Sequence, residues 1–88
     1  MNNLDSLKQK LDAGYNWPME YLFKFIVPAR MDSIARVEAL FQEHATVYRK
    51  ESRNGKYISI SASQTMQSSN EVIHVYKKAM HIENILAL

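Results

Sequence analysis

Seven consecutive residues, Tyr21-Leu22-Phe23-Lys24-Phe25-Ile26-Val27, constrain the fold of this chain more than any other feature. Six are apolar, and a single lysine stands among them. With a period of two, Tyr21, Phe23, Phe25 and Val27 share one face, and Leu22, Lys24 and Ile26 share the other. A lysine is rarely buried without a partner, so the aromatic face is the core face. The stretch reads as the central strand of a small sheet, covered on one side only.

The chain has 88 residues, enough for one domain with a single core, and 47% of them are hydrophobic, which excludes intrinsic disorder. Cysteine is absent, so disulfides, thiolate metal sites and cysteine nucleophiles are ruled out. No signal-like start and no run of membrane-spanning length is seen, and a soluble cytoplasmic protein is the expectation. The net charge of +2 is too small to point to nucleic acid by itself.

Ahead of the strand, Asn2 or Asn3 caps a short helix carrying a narrow stripe of Leu4, Leu7 and Leu11, closed by Gly14. Residues 1–14 are thus a helical extension, and residues 15–88 form the domain proper. Trp17, held out of helix by Pro18, is expected to pack across an end of the sheet rather than serve as a ligand platform. After Pro28, Asp32 or Ser33 caps a helix expected to run to about His44, with Ile34, Val37, Leu40 and Phe41 inward.

Thr46 to Glu51 is a short, charge-rich edge strand. Asn54-Gly55 then signals a tight hairpin, since both residues tolerate positive φ. Lys56 to about Thr65 alternates, with Ile58, Ile60 and Ala62 inward and Tyr57, Ser59 and Ser61 outward. A two-residue loop would set Arg49 opposite Ile60, whereas a three-residue loop sets Tyr48 there. The latter is favoured because tyrosine suits a core edge better. Ser68 and Glu71 form a capping box for a second helix from Ser69 to Met80. Its apolar stripe is Val72, Tyr76, Ala79 and Met80, widened by Ile73. Ile85 to Leu88 is a final strand.

Strand, helix, strand, strand, helix, strand, with right-handed crossovers, is a ferredoxin-like α+β sandwich. Its four-stranded antiparallel sheet has the order 4-1-3-2, with two helices on one face. The other face presents Leu22, Lys24, Ile26, Tyr57, Ser59 and Ser61 as the candidate interaction surface. Arg49, Lys50, Arg53 and Lys56 form a candidate basic hairpin.

Other chemistry is weaker. His44, His74 and His81 lack companions at metal-ligand spacing, so no metal is expected. There is neither a nucleophile elbow nor a paired-carboxylate pattern, and two glycines cannot build a phosphate-binding loop, so neither an enzyme nor a cofactor is expected. RNA-recognition domains share this topology but stack bases on aromatics of the first and third strands, and here that face offers Tyr57 alone. Single-stranded RNA binding is the runner-up. The leading expectation is a non-enzymatic association or regulatory module. Its half-apolar face would be covered by a second copy, by the N-terminal helix or by a partner protein, with a small-molecule ligand at a dimer interface as a further use.

Trp17-Pro18 ahead of the Tyr21 to Val27 strand, the pattern Ser52, Gly55, Tyr57 and Ser59, and the apolar ending Ile85 to Leu88 resemble the YbeD-like family of small bacterial proteins of uncharacterised function. Trp17 stands where the family pattern has Phe. The similarity covers roughly residues 15–88. The resemblance implies a fold similar to amino-acid-binding regulatory (ACT-like) domains and no particular activity. The glycine-containing turn that serves ligand binding in those domains is Pro28-Ala29-Arg30-Met31 here, so their ligand residues are not carried over.

Overall fold

The computed structural model describes residues 3–88, with Asn3 described by its backbone alone. The elements are α1 (Asn3–Gly14), β1 (Met19–Pro28), α2 (Met31–Glu38), β2 (Thr46–Glu51), β3 (Tyr57–Met66), α3 (Ser69–Ala79) and β4 (Leu86–Ala87). The antiparallel sheet has the order β2-β3-β1-β4, the expected order read from its other edge. The expected cap at Asn2 or the Asn3 side chain lies outside the described residues.

β1 explains why the chain folds. Phe23, Phe25 and Val27 are 0% exposed, and Phe23 meets the rings of Tyr21 at 4.7 Å, Phe41 at 5.4 Å and Tyr76 at 5.4 Å. β3 runs beside it along its whole length, with Phe25 opposite Ile60 and Phe23 opposite Ala62. Because directly paired residues point to the same face, this register places one continuous apolar surface beneath the helices.

α3 begins as its sequence dictates. The Ser68 hydroxyl accepts the Glu71 N–H at 3.3 Å, and the Glu71 carboxylate reaches back to the Gln67 N–H at 3.2 Å. Val72, Ile73, Val75, Tyr76 and Ala79 are buried, but Met80 is not: the helix ends at Ala79 and the Met80 side chain turns outward. α1 lies along α3, with the Ser69 hydroxyl donating to the Asp12 carboxylate, and Leu4 and Leu11 enter the core. Lys8 first and Ser69 second hold the Asp12 carboxyl below its usual range. α1 therefore joins the helical layer and leaves the opposite face of the sheet bare.

Three further expectations are corrected. α2 starts at Met31, with Arg30 in the capping position, and Asp32 accepts from the Arg30 guanidinium instead of capping the helix. It also stops at Glu38 rather than near His44. The last turn tightens, with Leu40 N–H bonded to Val37 and Phe41 N–H to Glu38. The Gln42 N–H is then taken at 2.8 Å by the side-chain oxygen of the buried Gln64 from β3. A tertiary acceptor thus ends the helix, and Phe41 still reaches the core from the following turn.

The hairpin register is the second correction. Arg49, not Tyr48, pairs with Ile60, and Tyr48 pairs with Ser61 on the open face, where it is 70% exposed. Ser52 and Tyr57 close a loop of Arg53 to Lys56, with the Ser52 N–H donating to the Tyr57 carbonyl at 2.8 Å. Asn54 Oδ1 accepts from the Ser52 hydroxyl and the Lys56 N–H, while Ser52 Oγ accepts the Tyr57 N–H. Gly55 takes φ of 73°, the left-handed conformation that glycine adopts freely. These side chains satisfy a wider loop than the Asn-Gly pair alone suggests.

The third correction concerns the final strand, which is Leu86–Ala87 rather than Ile85 to Leu88. Leu86 pairs with Ile26 and Ala87 with Phe25, and the Leu88 N–H donates to the Lys24 carbonyl at 2.9 Å. The end is tied to the sheet by its backbone, while Leu86 and Leu88 are 55% and 62% exposed.

Candidate functional site

The sheet register assembles the open face from the bottom up. Lys24 lies opposite Ser61, Ile26 opposite Ser59 and Pro28 opposite Tyr57. The six residues expected on this face, Leu22, Lys24, Ile26, Tyr57, Ser59 and Ser61, are therefore one contiguous patch on two neighbouring strands. Leu22 is 64% and Tyr57 50% exposed.

The structure adds members that sequence reasoning missed. Tyr48 and Lys50 of β2 extend the patch on one side, opposite Ser61 and Ser59, and Leu86 of β4 extends it on the other, opposite Ile26. The missed signal was alternation: once Arg49 faces the helices, its neighbours Tyr48 and Lys50 must face away. The result is an aliphatic group of Leu22, Ile26, Leu86 and Leu88 flanked by two tyrosines. No segment among the described residues packs over it.

The expected basic hairpin does not stay together. Lys50, Arg53 and Lys56 remain exposed at one end of the sheet, but Arg49 projects to the helix side. There its guanidinium donates to both carboxylate oxygens of Glu38, at 2.5 and 2.6 Å. That bidentate pair joins β2 to α2 and explains why an arginine sits opposite buried Ile60. Arg49 holds the Glu38 carboxyl below its usual range, chiefly by hydrogen bonding. A depressed carboxyl contributes stability above its unfolded pKa and loses it as pH falls through the folded value. Glu38→Gln should therefore cost stability near neutral pH, with the deficit against wild type smaller in acid, as the pH falls toward the lowered folded pKa of Glu38. Urea unfolding of both proteins at about pH 7 and about pH 3 checks this.

On the helix side, the Tyr21 and Tyr76 hydroxyls meet at 3.1 Å at an apolar cleft of about 520 Å³ between α1, α3 and β4. Burial first, and the Tyr21 hydrogen bond second, push the Tyr76 phenol well above the usual tyrosine range, so it stays protonated. The pair is a part-buried polar joint between β1 and α3. Trp17 packs against the core as expected, with its indole N–H buried and without a partner. His44, His74 and His81 are exposed. Among the described residues, no group of three or more histidine, aspartate or glutamate side chains could hold a metal ion. No helix among them is long and apolar enough to cross a membrane.

A family model described as a protein of unknown function (DUF493) matches residues 12–88. No curated protein and no solved structure matches the chain. The matched span contains every strand of the sheet, α2 and α3, and it agrees with the YbeD-like resemblance carried by Tyr21 to Val27 and Ser52 to Ser59. From the last residues of α1 to the end of β4, the chain belongs to the DUF493 family of proteins of unknown function.

Proposed function

We propose that this chain is a non-enzymatic cytoplasmic protein-interaction module with a regulatory role, acting through the open face of its sheet. One observation carries the reading. Five large apolar side chains, Leu22, Tyr48, Tyr57, Leu86 and Leu88, are at least half exposed on the face opposite the helices. Surfaces of this kind are covered by partners, because each exposed aliphatic group gains free energy when it leaves water. The polar residues between them, above all Ser59, Ser61 and Lys24, keep the free chain soluble and give a partner hydrogen-bonding positions.

Site-specific photo-crosslinking in the native cell tests this. A photoreactive amino acid at Leu22 or Leu86 should yield a discrete protein adduct, and the same residue at exposed His74 on α3 should not. Adducts formed equally from both faces, or from neither, would overturn the reading.

A further inference from the structure

Resting on that reading, we infer that the partner presents an acidic segment, seated where Lys24, Lys50 and Arg53 surround Ile26, Tyr57 and Leu88. These six residues line one shallow concavity of about 710 Å³ at the hairpin end of the open face. Three separate elements supply its cations: Lys24 from β1, Lys50 from β2 and Arg53 from the loop. Glu51 is the one acidic side chain among those lining it, so the lining side chains carry a positive excess.

Among the described residues, none of these three cations has a side-chain hydrogen bond or ion pair. Arg49, from the same hairpin, is already taken by Glu38. The charges in the concavity are thus unspent, and they are unspent beside apolar surface.

The register sets the scale of the ligand. Lys50 and Ile26 flank Ser59 on either side, and Lys24 lies two residues along β1 from Ile26. With strands about 4.8 Å apart and a rise of about 3.4 Å per residue, the Lys24 and Lys50 Cα atoms are about 12 Å apart. An extended segment covers about 10 Å in three residues. Two acidic residues three or four positions apart, with an aliphatic or aromatic side chain between them, match both the charge spacing and the floor of Ile26, Tyr57 and Leu88.

The same features disfavour other occupants. A small anion needs enclosure on most sides, and this concavity is wide and shallow. A second copy placed face to face over it would set three cations against three. Single-stranded RNA would satisfy the lysines and stack a base on Tyr57, but the next positions of β3 on this face are Ser59 and Ser61, where further bases need aromatic platforms, and Leu22, Leu86 and Leu88 would gain nothing from a phosphodiester chain.

Fluorescence anisotropy on the full chain tests the proposal with a labelled Gly-Glu-Glu-Leu-Phe-Glu-Glu-Gly peptide. Saturable, salt-sensitive binding is expected at low ionic strength. Lys24→Glu combined with Lys50→Glu should weaken it at least about tenfold, as expected for contacts to charged groups. Lys10→Glu combined with Lys77→Glu, on the exposed helical side, should leave it within about twofold. Replacing the peptide's Leu-Phe by Ser-Ser should also weaken it, and melting curves of all variants check that each is folded.

No binding at low salt, equal binding by the Lys24 and Lys50 variant, or tighter binding of a short oligouridylate that displaces the peptide would each overturn the acidic partner. If the peptide fails while crosslinks from Leu22 still form, the partner chemistry falls and the open-face reading stands. If both fail, both fall.

Discussion

Phe23→Ala is expected to lower the stability of this domain by about 3–5 kcal/mol, the usual cost of truncating a fully buried aromatic side chain. Phe23 is 0% exposed, and its ring meets those of Tyr21, Phe25, Phe41 and Tyr76. Those four rings belong to β1, the turn after α2, and α3, so one truncation opens a void where three parts of the fold converge. A domain of this size has about 5–15 kcal/mol of net stability, so the variant would retain only part of it and melt roughly 15–30 °C lower. Thermal unfolding followed by circular dichroism measures the shift. The adjacent Leu22→Ala, on the open face, should change stability by no more than about 0.5 kcal/mol. Similar losses at the two positions would mean that the faces of β1 are assigned wrongly.

Leu11→Ala is the second large expected effect, about 2–4 kcal/mol, read as a shift in the urea midpoint at unchanged slope. Leu11 is 2% exposed and belongs to the same buried cluster as Phe25 and Tyr76. An N-terminal helix of about this length is marginal in isolation, and packing along α3 supplies what its own propensity lacks. The exposed Lys10→Ala on the same helix is the comparison, expected within about 0.5 kcal/mol. Equal and small effects at both positions would show that α1 is an appendage.

Much of the fold was legible in local patterns, for reasons that differ between elements. The two faces of β1 followed from strict alternation around Lys24, because a lysine and three buried side chains cannot share a face at low cost. The start of α3 followed from Ser68 and Glu71, whose side chains bond to backbone groups a few residues away. The six residues expected on the open face came together because β1 and β3 pair along ten residues and carry their alternation with them.

Two of the misreadings share a physical origin, a group distant in sequence, and a third is local. α2 looked longer because Leu40 and Phe41 continue its apolar period, but Gln64, twenty-two residues beyond Gln42, captures the amide that would have extended it. Tyr48 looked better suited than Arg49 to the place opposite Ile60, until Glu38 of α2 was there to receive the guanidinium. Met80 fits the apolar stripe by spacing and is exposed because the helix ends one residue before it.

The candidate site divides the same way. Its β1 and β3 members were set by the sequence alone, through a period of two that any sheet containing these strands must respect. Its breadth was decided only by the tertiary structure, which brought Tyr48 and Lys50 to one flank, Leu86 and Leu88 to the other, and removed Arg49 to the helix side. Alternation is a property of one strand and can be read in isolation. Which residues of different strands become neighbours depends on register, and register here was settled by a loop of satisfied side chains and an ion pair to a helix that no single strand encodes.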